Sequence, residues 1–109
     1  MYTVTAILYP SALATSITLP MEILQAASQM ASTNRRGTKA RLRFLLAAPT
    51  LDEIKLASGI TLKPDLRLAD LSTVDLLILP AIWRNPRPTI RAAQPWLEQL
   101  TALAASGTK

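Results

Sequence analysis

The chain has 109 residues, which is enough for one small domain. Half of the residues are hydrophobic and 17% are charged, so the sequence predicts a folded domain around an apolar core. The sequence contains no cysteine and no histidine. This excludes disulfides, Cys/His zinc sites, thiol nucleophiles and a Ser-His-Asp triad within these residues. The composition therefore argues against a self-sufficient catalyst, and it predicts neither a metal nor a cofactor.

The formal net charge is +5, and the basic residues concentrate in one segment. The members of this cluster are Arg35, Arg36, Lys39, Arg41 and Arg43. Such a cluster occurs in nucleic-acid-binding proteins and also in ordinary solvated loops. Because no aromatic residues interleave with it, we favour the solvated loop.

The N-terminal residues show no positively charged leader before the first apolar run. The longest apolar stretches, Phe44–Pro49 and Leu76–Trp83, are too short to cross a bilayer. The sequence therefore predicts a cytoplasmic protein that has no contact with membranes.

The first two elements follow from short patterns near the N-terminus. Val4–Tyr9 is an apolar, β-prone run, which is typical of a strand buried on both faces. A helix is predicted from about Leu19 or Pro20 to about Ser32, with Thr18 as its N-cap.

The middle of the chain predicts a strand, a hairpin and a connector. Arg41–Ala48 alternates at its start and then becomes apolar, as expected for a second strand. Glu53–Ala57 and Ile60–Pro64 fit a tight hairpin in which Gly59 has a positive φ. Leu66–Leu71 is predicted to be a short helical turn or connector.

The last third predicts a strand and a helix. Asp75–Pro80 carries four consecutive branched aliphatic residues, which is typical of a central strand in a parallel sheet. The final helix is predicted over Thr89–Ala105, with an interruption near Pro95 and a stop at Gly107. This alternation of strands and helices predicts an open α/β sheet with helices on its faces.

Four segments, in this order and at these spacings, resemble the ThiJ/PfpI superfamily, which is related to the class I glutamine amidotransferase fold. The segments are Val4–Pro10, Leu19–Leu24, Ala57–Asp65 and Val74–Trp83. More narrowly, the chain resembles the N-terminal domain of AraC-family transcriptional regulators, which are bacterial. The resemblance implies a partial flavodoxin-like three-layer α/β sandwich with a mostly parallel sheet, helices on both faces and a small hairpin.

The resemblance also implies that residues 1–109 are the N-terminal part of a longer domain. In the family, a strand leads from the helix that ends near Gly107 to a sharp turn with the nucleophile, and a histidine often follows. In AraC-type regulators, a helix-turn-helix domain comes after the α/β domain. We therefore expect a fragment that lacks both parts, forms a homo-oligomer such as a dimer, and reaches DNA only through the missing domain.

Four residues are the candidate ligand-binding site for a small-molecule effector. Glu22 resembles the family's helix glutamate, which points at the nucleophile; a carboxylate that merely stabilises the helix dipole is an equal alternative. Ala81, Ile82 and Trp83 follow the strand Asp75–Pro80, where open α/β sheets bind ligands. Packing of Trp83 against the sheet edge is the alternative that we favour for that residue.

The loop after Pro80 separates two functional hypotheses. Catalytic members of the family carry glycines there for an oxyanion hole, whereas this loop has none. We therefore favour a non-catalytic sensing and dimerisation fragment of an AraC-type regulator over a fragment of a ThiJ/PfpI-type hydrolase, glyoxalase or deglycase. A weaker third hypothesis is nucleic-acid binding through the basic cluster. Nearby, Arg84, Arg87 and Arg91 could recognise an anionic ligand or could be ordinary solvated positions.

Overall fold

The computed structural model describes residues 2–34 and 42–109, and the side chains of 2–30 and 42–109. The strands are β1 (Tyr2–Ile7), β2 (Leu42–Ala48), β3 (Ile54–Lys55), β4 (Thr61–Leu62), β5 (Leu66–Arg67) and β6 (Leu76–Ile78). The helices are α1 (Thr15–Asn34), α2 (Arg87–Ala93) and α3 (Leu97–Ala105), with 3-10 turns at Leu68–Asp70 and Gln94–Trp96. Four strands form a parallel sheet in the order β5-β2-β1-β6, while β3 and β4 form an antiparallel hairpin.

Two apolar clusters lie on opposite faces of the sheet, because successive side chains of β1 point in opposite directions. One cluster contains Ala6, Leu8, Ala12, Ile17, Ala48 and Leu56. The other contains Ile7, Ala47 and Leu68, with Trp96 and Leu100 packed against it. Helix α1 and the hairpin therefore cover one face, and the C-terminal helical segment covers the other. The predicted three-layer α/β sandwich is confirmed.

The main differences from the predicted strands concern their length and position. β1 covers Tyr2–Ile7 rather than Val4–Tyr9, and β6 covers Leu76–Ile78 rather than Asp75–Pro80. Strand β6 lies beside β1 at one end of the four-stranded order, and its other edge bonds to the backbone of Lys109. A run of aliphatic residues indicates that both faces of a strand are apolar, but it does not indicate how many neighbours pair with its edges. The short helical turn or connector predicted for Leu66–Leu71 includes a 3-10 turn at Leu68–Asp70, but β5 was not predicted, since two residues are too few to show a period.

Helix α1 begins at Thr15, whereas the sequence predicted a start near Leu19. The predicted N-cap, Thr18, lies inside the helix, and its hydroxyl donates to the carbonyl of Ala14 over 3.0 Å. Pro20 is within the helix, where the missing N–H leaves one helical hydrogen bond unmade. The earlier start places Ile17 in the first turn of the helix, where it is buried in the first cluster. Of the predicted basic cluster, all but Arg43 lies outside the described residues.

Two aspartates fix where the short parallel strands begin to pair. Asp65 precedes β5; its N–H donates to the Leu46 carbonyl, and its carboxylate accepts the Leu46 N–H, both over 2.7 Å. Asp75 precedes β6 and makes the same pair of bonds with Thr3, over 2.9 and 2.7 Å. Each aspartate therefore binds the neighbouring strand through its main chain and its side chain at one position.

The chain turns back to the sheet after α3. Gly107 has φ +107°, and the N–H groups of Gly107 and Thr108 donate to Ala104 and Leu103 carbonyls, which is a Schellman ending. Lys109 then donates to the Asp75 carbonyl and accepts the Leu77 N–H, over 2.9 and 2.8 Å. The predicted helix stop and the predicted break near Pro95 are both confirmed.

The hairpin is also confirmed, since Gly59 has φ +91° between β3 and β4. Among the helices in the described part of the chain, none has the length and apolar character needed to cross a membrane.

Candidate functional site

The loop that follows β6 is held against the loop that follows β1. The Leu13 N–H donates to the Ala81 carbonyl over 2.9 Å, and the Trp83 N–H donates to the Ser11 carbonyl over 2.7 Å. These bonds surround an isolated antiparallel bridge between the two loops. Residues 81–83 are therefore fixed by main-chain pairing rather than by contacts within their own loop.

Side chains from the β1 end of the sheet add further bonds to the same loop. The Ala81 N–H donates to Ser16 Oγ over 2.9 Å, and this hydroxyl donates in turn to the Leu13 carbonyl over 2.6 Å. The Tyr9 hydroxyl donates to the Pro80 carbonyl. An oxyanion hole needs backbone N–H groups that are free to bind a developing negative charge. In this arrangement, the N–H groups of Ala81 and Trp83 already donate to protein oxygens.

Ser16 is a site residue that the sequence analysis missed. It lies in the first turn of α1, and its hydroxyl is the link between that helix and the loop after β6. The sequence contained one relevant signal, because serine is favoured near helix starts, where its hydroxyl binds nearby backbone groups. The predicted start near Leu19 placed Ser16 outside the helix and concealed its role.

Glu22 does not join the residues of the loop. It is exposed and lines an open groove of about 400 Å³ between α1 and β2. The residues lining this groove are Met21, Glu22, Gln25, Ala26, Gln29 and Phe44. Because Glu22 is six residues beyond Ser16, it lies about 9 Å further along the helix axis and on another face. In the described residues, no hydrogen bond or ion pair connects Glu22 with residues 81–83.

The other three predicted residues lie together in one loop. Ile82 is half-buried and Ala81 is exposed, while Trp83 retains 51% of its accessible surface. The ring of Trp83 is therefore not a fully buried plug at the sheet edge. The guanidinium carbon of Arg84 lies 5.6 Å from the Trp83 ring centroid, within the range of a cation–π contact. Ligand binding by Glu22, Ala81, Ile82 and Trp83 stays a prediction.

The phenol of Tyr9 gives a prediction about alkaline stability. Burial raises the pKa of Tyr9 above its usual value of 10.0, so the folded state favours the neutral phenol that donates to Pro80. Since the unfolded chain loses this proton first, we expect the free energy of unfolding to fall as the pH rises above about 10. Urea unfolding at pH 7 to 11 measures this fall, which is expected to be smaller in Tyr9→Phe. An equal fall in both proteins contradicts the assignment.

Several solved structures share this fold. A proposed transcriptional regulator from Vibrio parahaemolyticus matches 99% of this chain with a TM-score of 0.77 and 20% identity. A DJ-1 superfamily protein from Salmonella typhimurium, solved as a cysteine-to-alanine mutant, matches 99% with a TM-score of 0.70 and 15% identity. An AraC family transcriptional regulator from Pseudomonas putida matches 91% with a TM-score of 0.59 and 20% identity. The sequence itself matches no protein-family model and has no significant match among curated proteins.

These likenesses establish the fold. The structural neighbours of the chain are DJ-1/ThiJ/PfpI superfamily proteins, and they include AraC-family and other proteins described as transcriptional regulators. The fold resemblance predicted from the four sequence segments is therefore confirmed. The chain spans about half the length of two of these structures, since it covers 53% of the Vibrio protein and 52% of the Salmonella protein.

Proposed function

We propose that this chain is part of the ligand-sensing and dimerisation domain of an AraC-type transcriptional regulator, and that it is not itself catalytic. The observation that carries this proposal is the loop after β6. It has no glycine, and the N–H groups of Ala81 and Trp83 are occupied by Ser16 and Ser11. The fold shared with two regulators supports the same function.

A loop of this kind suits sensing better than catalysis. An oxyanion hole accelerates a reaction because its donors wait unpaired at the position where charge develops. Here two N–H groups of the loop, those of Ala81 and Trp83, are already used to join the loop after β6 to the residues that follow β1. A ligand that alters this junction would change the relation between the two strand ends and α1, which is a structural signal rather than a chemical step.

The reading frame that encodes the chain tests this proposal. We expect codons beyond Lys109 to specify the rest of the α/β domain and then a helix-turn-helix pair. Purified full-length product is then expected to bind duplex DNA from its own promoter region, with an affinity that falls as salt is raised. A cysteine-bearing elbow and a histidine followed directly by a stop codon would instead favour the enzyme hypothesis. That alternative is supported by the DJ-1 superfamily proteins among the structural neighbours.

The proposed dimerisation has a structural basis on α1. Leu19, Ile23 and Met30 are exposed by 55%, 60% and 67% of their accessible surface. At 100° per residue, these three positions fall within about 40° of one another around the helix. They therefore form an exposed apolar stripe, which we call the α1 stripe. Such a surface favours burial against another protein, and we propose that a second copy covers it.

Replacing Ile23 by lysine is expected to weaken self-association by about 10-fold or more, because a charge would enter an apolar contact. Sedimentation velocity over a range of protein concentrations measures the effect. Gln25→Lys is the matched control, since it adds the same charge to another face of α1. A wild-type chain that stays monomeric at every concentration, or equal effects of the two substitutions, contradicts dimerisation through the α1 stripe.

A further inference from the structure

The segment from β6 to the start of α3 carries no negatively charged residue. The seven acidic residues of the chain all lie outside residues 76–97, whereas Arg84, Arg87 and Arg91 lie within them. These three arginines are exposed. In the described part of the chain, the one ion pair joins Arg67 with Asp70, so no carboxylate neutralises the three guanidinium groups. This segment therefore presents an uncompensated positive surface.

Arg84 has a backbone conformation that residues other than glycine rarely adopt. Its φ is +66°, and it is the only described residue other than glycine with a positive φ. This left-handed conformation costs an L-residue about 1 kcal/mol and is common only for glycine, asparagine and aspartate. Unusual backbone conformations of this kind concentrate at binding sites, where the orientation of the side chain has a use.

The surroundings of Arg84 hold it in place on both sides. Before it, the Trp83 N–H is bonded to the Ser11 carbonyl over 2.7 Å. After it, the Arg87 N–H donates to the side-chain oxygen of Asn85 over 3.1 Å. The guanidinium itself lies over the Trp83 ring rather than against an acid. The backbone that carries the Arg84 side chain is therefore held by its neighbours, which restricts the positions that the guanidinium can reach.

We propose that Trp83 and Arg84, supported by Arg87 and Arg91, form a binding site for a small oxyanion, either a carboxylate or a phosphate. The planar guanidinium of Arg84 can pair with two oxygens of such a group. Arg87 and Arg91 lie one turn apart on the same side of α2 and add positive potential. The exposed Trp83 ring supplies an apolar wall for the rest of the ligand. This inference rests on the proposed sensing function for its biological role.

Tryptophan fluorescence of the whole chain tests the site. Trp96→Phe leaves Trp83 as the single reporter, and sodium phosphate or sodium succinate is then added at an ionic strength kept constant with sodium chloride. We expect a saturable change in Trp83 emission with at least one of the two anions. A comparison of the two responses shows whether the site prefers a phosphate or a carboxylate.

Arg84→Gly in the same background removes the guanidinium but suits the positive φ, so the fold is retained. It is expected to weaken anion binding by about 10-fold or more, since hydrogen bonds between charged groups are lost. Arg43→Ala, which removes an exposed arginine from β2, is the matched control and is expected to change binding less than about twofold. Arg84→Lys keeps the charge without the planar fork and is expected to bind with intermediate strength.

The proposal is overturned if neither anion gives a saturable change, or if Arg84→Gly binds as well as its parent. A short DNA duplex is titrated in parallel; a response to DNA alone makes this surface a nucleic-acid interface and also overturns the small-anion site. Failure here leaves the regulator proposal standing, because that depends on the downstream helix-turn-helix. Conversely, anion binding together with a downstream catalytic elbow retains the site and rejects the regulator.

Discussion

Ile17→Ala is expected to lower the free energy of unfolding by about 3 kcal/mol, because the substitution leaves a cavity in the first apolar cluster. Ile17 retains only 1% of its accessible surface and joins α1 to the β1 end of the sheet. A loss of this size is a large part of the stability of a domain of about 100 residues. Urea unfolding followed by circular dichroism measures it.

Ile90→Ala is the matched control for this substitution. Ile90 also lies in a helix, but 52% of its surface is exposed, so the same change is expected to cost only about 0.5 kcal/mol. Both variants and the parent are compared at one protein concentration, because association would otherwise shift the apparent stability. Similar losses for the two variants contradict the position of Ile17 in the core.

Asp75→Ala is expected to lower the free energy of unfolding by about 2 kcal/mol. The substitution removes a charged acceptor and leaves the Thr3 N–H without its side-chain partner. The Asp75 carboxylate joins the start of β6 to Thr3 in β1, and Asp75 and Thr3 are both half-buried. Asp75→Asn keeps an acceptor oxygen at the same place, so its free energy of unfolding is expected to fall less than that of Asp75→Ala. Urea unfolding measures the free energy of unfolding of the parent and of the two variants.

Asp52→Ala is the matched control for the strand-start aspartate. Asp52 is exposed and bonds only within its own loop, to Thr50, so its removal is expected to cost about 0.5 kcal/mol or less. If Asp75→Ala is no more destabilising than Asp52→Ala, the bond to Thr3 does not fix the start of β6.

Much of the fold could be predicted from local patterns. The hairpin follows from Gly59, and the end of α3 follows from Gly107, because a positive φ is cheap only for glycine. The start of α1 could not be predicted in this way. The rule that proline favours the first turn of a helix places the start near Pro20. The helix instead begins about one turn earlier, and Ile17 in that added turn is buried.

The site was predicted less well than the fold, for a geometric reason. Residues 81–83 were found because the carboxyl end of a parallel strand is a general place for ligands. Glu22 is predicted through resemblance alone, and the face of α1 on which it lies is set against the rest of the protein by tertiary packing. With the start at Thr15, Ser16 lies against the loop and Glu22 faces a separate groove. The backbone strain at Arg84 depends on tertiary contacts and leaves no mark in the sequence.

The pairing of Lys109 with β6 has a practical consequence for attached sequences. Its backbone donates to Asp75 and accepts from Leu77, so the last peptide unit already runs parallel to β6. A tag or reporter joined directly after Lys109 would start along the edge of β6 opposite β1, where Lys109 already pairs. A spacer would have to turn away from that side first. Attachment at this end therefore adds the first residues of any fusion to the folded unit.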